Sequence, residues 1–272
     1  MITIRPFLQN CRVKPLLLGD IMRKHRCLYV FNKAALFFIC LCSSFACWSG
    51  VVTDKSRVVM LNDDPAQNLL LANLNDYPVV VQLWIDDGKV DSTPETAKAP
   101  IIATPAMFKM AAGEQKNIRL INILENMPLS VEQMYWLNIY EVPPKPSEVQ
   151  MEQNGQLLML TIRTQLKVFF RPKSLMAAVD KRPEMQSFTL TDKGLNIKND
   201  SPLFMVYNQL SVLAGEHKIS LEPDFLPPFS EKLLTFPQLQ QIRRESEISI
   251  SFDFIEDNGA ITHKVANAIK IK

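Results

Sequence analysis

The stretch QLLMLTIRTQLKVFFRP, residues 156–172, sets Leu158, Leu160, Ile162, Leu166, Val168 and Phe170 on one side of a two-residue period. Thr161, Arg163, Gln165, Lys167 and Arg171 share the other side. The pattern predicts a single β-strand over residues 156–172, far longer than the ~5 to 6 residues usual in globular proteins. An apolar strand of that length at a sheet edge invites pairing with other chains, so it is either covered or put to use.

Shorter strand patterns recur before it: SRVVML from Ser56, NLLLANL from Asn68, YPVVVQLWI from Tyr77, NIRLINI from Asn117 and MYWLNIYEV from Met134. Turn signals separate them at Asn62-Asp63-Asp64-Pro65, Asp86-Asp87-Gly88 and Ala112-Gly113-Glu114. Both acidic pairs read as turn chemistry, because Asp hydrogen-bonds its local backbone there, and neither has calcium-loop spacing. This is the cadence of a β-sandwich.

The pattern breaks through KSLMAAVDKRPE, residues 173–184, where Lys173, Lys181 and Arg182 read as solvated linker charges. It resumes in SFTLT, GLNIKN, LFMVYNQLSVL, KLLTF and EISISFDFI, and no segment reads as strongly helical. The fold class predicted is all-β. A linker near residue 173 divides the chain into two immunoglobulin-like sandwiches, residues 51–172 and 173–272.

Residues 1–50 read as a leader. Arg23, Lys24, Arg26 and Lys33 precede the apolar run AALFFICLCSSFA, which small residues follow, as in a secretory signal. The run is too short and too interrupted by Ser43 and Ser44 for a membrane span, which needs ~20 apolar residues. Translation from Met22 brings the signal into the usual length range, with cleavage after Ala46 or around Ser49 and Gly50. All five cysteines lie within this leader, so the exported chain has no thiols for disulfides, metal sites or nucleophiles. The leader also holds seven Lys/Arg and one Asp, which leaves 23 basic and 27 acidic residues beyond it. That net charge of −4 argues against a polybasic nucleic-acid surface.

Catalytic patterns are missing. Beyond the leader there are only His217 and His263, with no nucleotide-binding glycine loop, no HExxH and no GxSxG, so the chain reads as a non-enzyme without cofactor or metal. Trp84 and Trp136 lie in apolar strand contexts and are expected in the core.

The segment MPLSVEQMYWLNIYEVPP, residues 127–144, resembles the signature of periplasmic pilus-assembly chaperones of the PapD type. Glu132, Trp136, Asn138, Ile139, Pro143 and Pro144 fall on the signature positions, while Val131 and Gln133 depart from it. PIIATP at residues 100–105, the segment from Gly113 to Leu120, and LKVFFRP at residues 166–172 extend the likeness over the first domain. GLNIKNDSPLFMVYNQL and FIEDNGA carry it more faintly into the second, which lacks the disulfide of some members.

The resemblance implies an L-shaped pair of immunoglobulin-like sandwiches that binds pilus subunits by donor-strand complementation and delivers them to an outer-membrane usher. Leu158, Leu160 and Ile162 are then the donor side chains. Arg57 and Lys167 bind the subunit's C-terminal carboxylate, and Glu132, Arg171 and Asp257 form an interdomain ion network. Location in the periplasm, self-association that caps the donor strand, and the short-loop branch that builds rod-like pili are implied with it. No nucleotide or nucleic acid is expected as a partner. The competing class is a secreted two-domain adhesin or carbohydrate-binding protein, which would need an exposed aromatic patch.

Overall fold

The computed structural model describes residues 50–124, 128–145, 159–242 and 247–270, which belong to one compact unit, Ser49–Lys272. Among the described residues the first sandwich is built from β1 (Val51–Thr53), β2 (Arg57–Leu61), β3 (Ala66–Asn73), β4 (Val79–Asp86), β5 (Ile101–Thr104), β6 (Met107–Met110), β7 (Gln115–Asn122), β8 (Gln133–Val142) and β9 (Ile162–Arg171). One sheet runs β1-β3-β7-β5 and the other β2-β9-β8-β4-β6. Alternation drives the packing: Ile118 and Leu120 of β7 are fully buried while Asn117 and Arg119 face outward. Their counterparts in the second sheet are Val81, Leu137, Val168 and Phe170.

Residues after Pro172 turn through two 3₁₀ segments, Lys173–Ala178 and Arg182–Met185. The second sandwich follows with β10 (Gln186–Leu190), β11 (Leu195–Asn199), β12 (Met205–Ala214), β13 (His217–Leu221), β14 (Phe225–Leu226), β15 (Ser230–Leu234), the short helix α1 (Leu239–Ile242), β16 (Ile248–Ile255), β17 (Ile261–Asn267) and β18 (Ile269–Lys270). Its sheets run β15-β11-β10-β18 and β13-β12-β16-β17, with β14 added to β12. In β16 the period of two is unbroken, with Ile248, Ile250, Phe252 and Phe254 buried and the residues between them half-exposed.

A small apolar seam joins the sandwiches: Phe169 of β9 packs with Phe204 and Val206, flanked by Val59, Met134, Phe225 and Ile255. The Phe204 ring lies 6.0 Å from Phe169 and 6.1 Å from Phe225.

The long strand is shorter than its sequence pattern predicts. β9 begins at Ile162, residues 159–161 lie outside any strand, and residues 156–158 fall outside the described residues. The physical reason is loss of a neighbour. Glu141 is the last β8 residue opposite β9, facing Ile162, and Pro143-Pro144 soon follow without N–H groups to continue a ladder. Alternation in the sequence continues beyond the point where pairing stops.

Trp84 and Trp136 also differ from expectation. Both stand on the outer face of the β4-β8-β9 sheet rather than in the sandwich interior, where Val79, Val81, Leu83 and Ile85 point. Trp84 is sheltered by the Arg163 guanidinium 4.9 Å from its ring, and Trp136 covers Gly88 so closely that a Cβ there would lie 2.5 Å from its Nε1. Trp84 is buried beneath that cation, whereas Trp136 is half-buried with the Lys167 ammonium 4.7 Å from its ring.

Candidate functional site

Parallel pairing of β2 with β9 sets Arg57 opposite Lys167, Val59 opposite Phe169 and Leu61 opposite Arg171. Because Val58, Met60, Val168 and Phe170 turn into the first core, this second set turns toward the other sandwich. One alternation therefore makes a core and a junction at once. Arg57 is 8% exposed, its Nη1 donates to the Ile255 carbonyl at 3.4 Å, and its buried Nε has no partner. Burial, then the nearby Arg182 charge, lowers its pKa, with Asp257 opposing. Lys167 lies with its ammonium 4.7 Å from the Trp136 ring, 5.5 Å from the Phe225 ring and 3.5 Å from Asp224 Oδ1. Two cations side by side can take a carboxylate through directional charge-assisted hydrogen bonds.

Behind them Arg171 is fully buried. Its Nε donates to Glu132 Oε1 at 2.6 Å, and Nη1 and Nη2 donate to Asp257 Oδ2 at 2.5 Å and Oδ1 at 2.9 Å. Glu132 Oε2 accepts the Phe204 N–H at 2.8 Å, and the Glu132 N–H reaches the Pro202 carbonyl at 3.0 Å, so this residue ties β8 to the second sandwich. Burial pushes the Glu132 carboxyl above its ordinary range, more than the attraction of Arg171 draws it down. Burial acts the same way on Asp257, but there the hydrogen bonds and charge of Arg171, with Arg182 beyond, outweigh it and hold the carboxyl low. For the Arg171 cation, burial is outweighed by Asp257 and Glu132, and its pKa rises.

Arg182 corrects the sequence reading. Expected as a solvated linker charge, it is 5% exposed, with Nη1 3.3 Å from the Phe204 carbonyl and 3.6 Å from Asp257 Oδ1. Its neighbour Lys181 is exposed, as expected, and Lys173 pairs at the surface with Asp63 at 2.7 Å. The available signal was the residue type, since a planar guanidinium suits buried ion pairs better than a hydrated ammonium does.

Of the donor candidates, Leu158 lies outside the described residues, Leu160 is 66% exposed just before β9, and Ile162 is 47% exposed as its first residue. β2 pairs only with residues 167–171, so among the described residues the same edge of β9 from Ile162 to Leu166 has no strand beside it. On the other edge β8 pairs throughout, and a buried polar clamp crosses the sheet. Asn138 donates to Asp86 Oδ2 at 2.7 Å and accepts from Arg163 Nε and Gln165 Nε2, both at 2.8 Å. Asp86 also takes the Trp84 Nε1 proton at 3.0 Å and the Gly88 N–H at 2.8 Å. It is fully buried and does more than shape a turn, because four polar donors converge on it, the fourth being Arg163 Nη2 at 3.4 Å.

The chain matches the family model "Pili and flagellar-assembly chaperone, PapD N-terminal domain" over residues 50–176 and "Pili assembly chaperone PapD, C-terminal domain" over residues 183–266. The probable fimbrial chaperone YadV of Escherichia coli K12 is 27% identical over 208 residues, covering 75% of this chain and 84% of that protein. Chaperone protein HifB of Haemophilus influenzae is 29% identical over 200 residues, covering 72% and 80%. Among solved structures, the Pseudomonas aeruginosa CupB2 chaperone aligns with a TM-score of 0.67 at 24% identity, over 80% of this chain and all of that one. A chain of the Salmonella enterica SafA pilin in complex with the SafB chaperone gives 0.62 at 24% identity, over 80% and 97%. The shared fold is the L-shaped pair of β-sandwiches.

Proposed function

We propose, because the chain belongs to the PapD family of pilus-assembly chaperones, that it binds pilus subunits in the periplasm by lending them a strand and then hands them to an outer-membrane usher. The observation that carries this reading is the edge of β9 from Ile162 to Leu166, unpaired among the described residues and ending where Arg57 and Lys167 stand side by side. A subunit strand laid along that edge takes up the free N–H and C=O groups and runs toward the two cations, which bind its terminal carboxylate and fix its register. Leu158, Leu160 and Ile162 supply apolar side chains to a subunit that lacks them. Burying three aliphatic side chains contributes ~5 to 9 kcal/mol gross, before the ordering cost of association.

Glu132, Arg171 and Asp257, joined by Arg182, hold the second sandwich at the angle that keeps this cleft open. Export requires the leader ahead of the described residues, and the energy for release comes from subunit folding at the usher.

The test is co-expression with a subunit encoded nearby, followed by pull-down and surface-pilus counts. Lys167→Ala loses subunit capture by about 2 to 5 kcal/mol, the range for truncating one member of a buried charge pair, while the protein stays folded. Ile162→Glu, which charges the donor face, gives the same loss with native circular dichroism. Wild-type capture and pilus counts in both variants would refute the strand-lending reading.

A further inference from the structure

The two cations of the cleft are not equally available. Arg57 has no carboxylate within ion-pair distance among the described residues, because Asp257, the nearest acid to influence it, is gripped by Arg171 and approached by Arg182. Lys167 does have one: the Asp224 carboxylate from the second sandwich, 3.5 Å from its ammonium.

Asp224 is fixed in that place. It stands between β13 and β14 at φ 64°, the left-handed region that Asp and Asn tolerate better than other side-chain-bearing residues. Its carbonyl accepts the Tyr207 N–H at 2.8 Å, and the next residue, Phe225, pairs with Val206. The carboxylate itself is loosely held. Its side chain is 64% exposed, and its contact with Lys167 has the length of an ion pair without a hydrogen bond. Such a pair is weak and readily exchanged.

We propose that Asp224 is a resident competitor for the cleft: it occupies Lys167 in the unloaded protein, and an arriving α-carboxylate binds by displacing it. The inference rests on the carboxylate-binding reading of Arg57 and Lys167 given above. Exchange favours a carboxylate that also reaches the Arg57 guanidinium and arrives on a strand paired with β9, since both contacts offset the lost Asp224 pair. A free small anion has only the first of these. Asp224 therefore makes the cleft selective for a carboxylate at the end of a pairing strand and discourages occupation by free anions.

The experiment uses the purified leaderless chain and a short fluorescent peptide of alternating apolar and polar residues, made with a free C-terminal carboxylate or as its amide. Asp224→Asn keeps the backbone tolerance and removes the charge. By fluorescence anisotropy this variant binds the acid peptide about two- to fivefold more tightly than wild type, the factor expected from a surface ion pair, and binds the amide unchanged. In the Lys167→Ala background Asp224→Asn produces no gain. Unchanged or weaker acid binding in a natively folded Asp224→Asn, or an equal gain without Lys167, overturns the competitor role. If wild type fails to prefer acid over amide, the carboxylate reading itself fails and the competitor role falls with it. A preserved preference with a silent Asp224→Asn removes this inference alone.

Discussion

Arg171 and Lys167 are two residues of one face of one strand, four positions apart, yet their surroundings give them different physical roles. Arg171 is saturated: three of its nitrogens donate to two carboxylates, and none of its side chain reaches water. Replacing it by Ala leaves Glu132 buried without its partner, so Arg171→Ala costs about 3 to 5 kcal/mol. Urea denaturation monitored by circular dichroism measures the loss, and a change below ~1 kcal/mol contradicts the assigned geometry. Arg171→Lys does not restore stability, because an ammonium cannot span Glu132 and Asp257 with a planar fork. Of this cluster, Glu132, Arg171 and Asp257 were legible only through the family signature, since they are distant in sequence and each alone resembles a surface charge. Arg182 was not legible at all beyond its residue type. Its burial depends on the Phe204 carbonyl and Asp257, both supplied by the second sandwich, and no local pattern around residue 182 encodes that meeting.

At the scale of elements, alternation revealed β2, β8, β12 and β16 because each has one face in a core, whereas β14 and β18 are two residues long and leave no period to read. β9 was legible in direction and facing but not in length. A strand ends where its neighbours end, and the sequence of β9 does not state where β8 runs into Pro143. Asn138 was visible as a signature residue, but its work becomes plain only across three strands. It bridges Asp86 on β4 and both Arg163 and Gln165 on β9. Asn138→Ala strips the buried Asp86 carboxylate of a donor, deprives the Gln165 amide of its acceptor and leaves Arg163 to its 3.4 Å contact with Asp86 and its place over Trp84, a loss of about 1 to 3 kcal/mol. Amide hydrogen exchange should then rise first at residues 163–165, on the open-edged part of β9, while β7 in the opposite sheet keeps its protection. Uniform exchange across both sheets would mean that Asn138 supports the whole sandwich and is no clamp on β9.

For the molecule as a whole, the seam between the sandwiches combines a small apolar cluster with buried charge, so its integrity depends on pH. Asp257 holds its carboxyl below the ordinary range, which means that the folded protein binds this proton more weakly than the unfolded chain does. Its contribution to stability is complete above the unfolded value of about 3.9 and is lost as pH falls through the lower folded value. Glu132 acts in the opposite sense. Burial raises its pKa, so protonation is easier in the folded state and lowering the pH through that range adds stability. The two carboxylates therefore partly mask each other in a wild-type pH profile, and substitutions separate them. Melting temperatures taken from about pH 6 down to about pH 3 should fall more steeply for wild type than for Asp257→Asn, whose missing charge removes one acid-sensitive contribution. Glu132→Gln should show the steeper fall, because it removes the compensating group. Parallel curves for all three proteins would mean that the seam stays closed irrespective of its carboxylates, and that the apolar contacts of Phe169, Phe204 and Val206 alone hold the two sandwiches together.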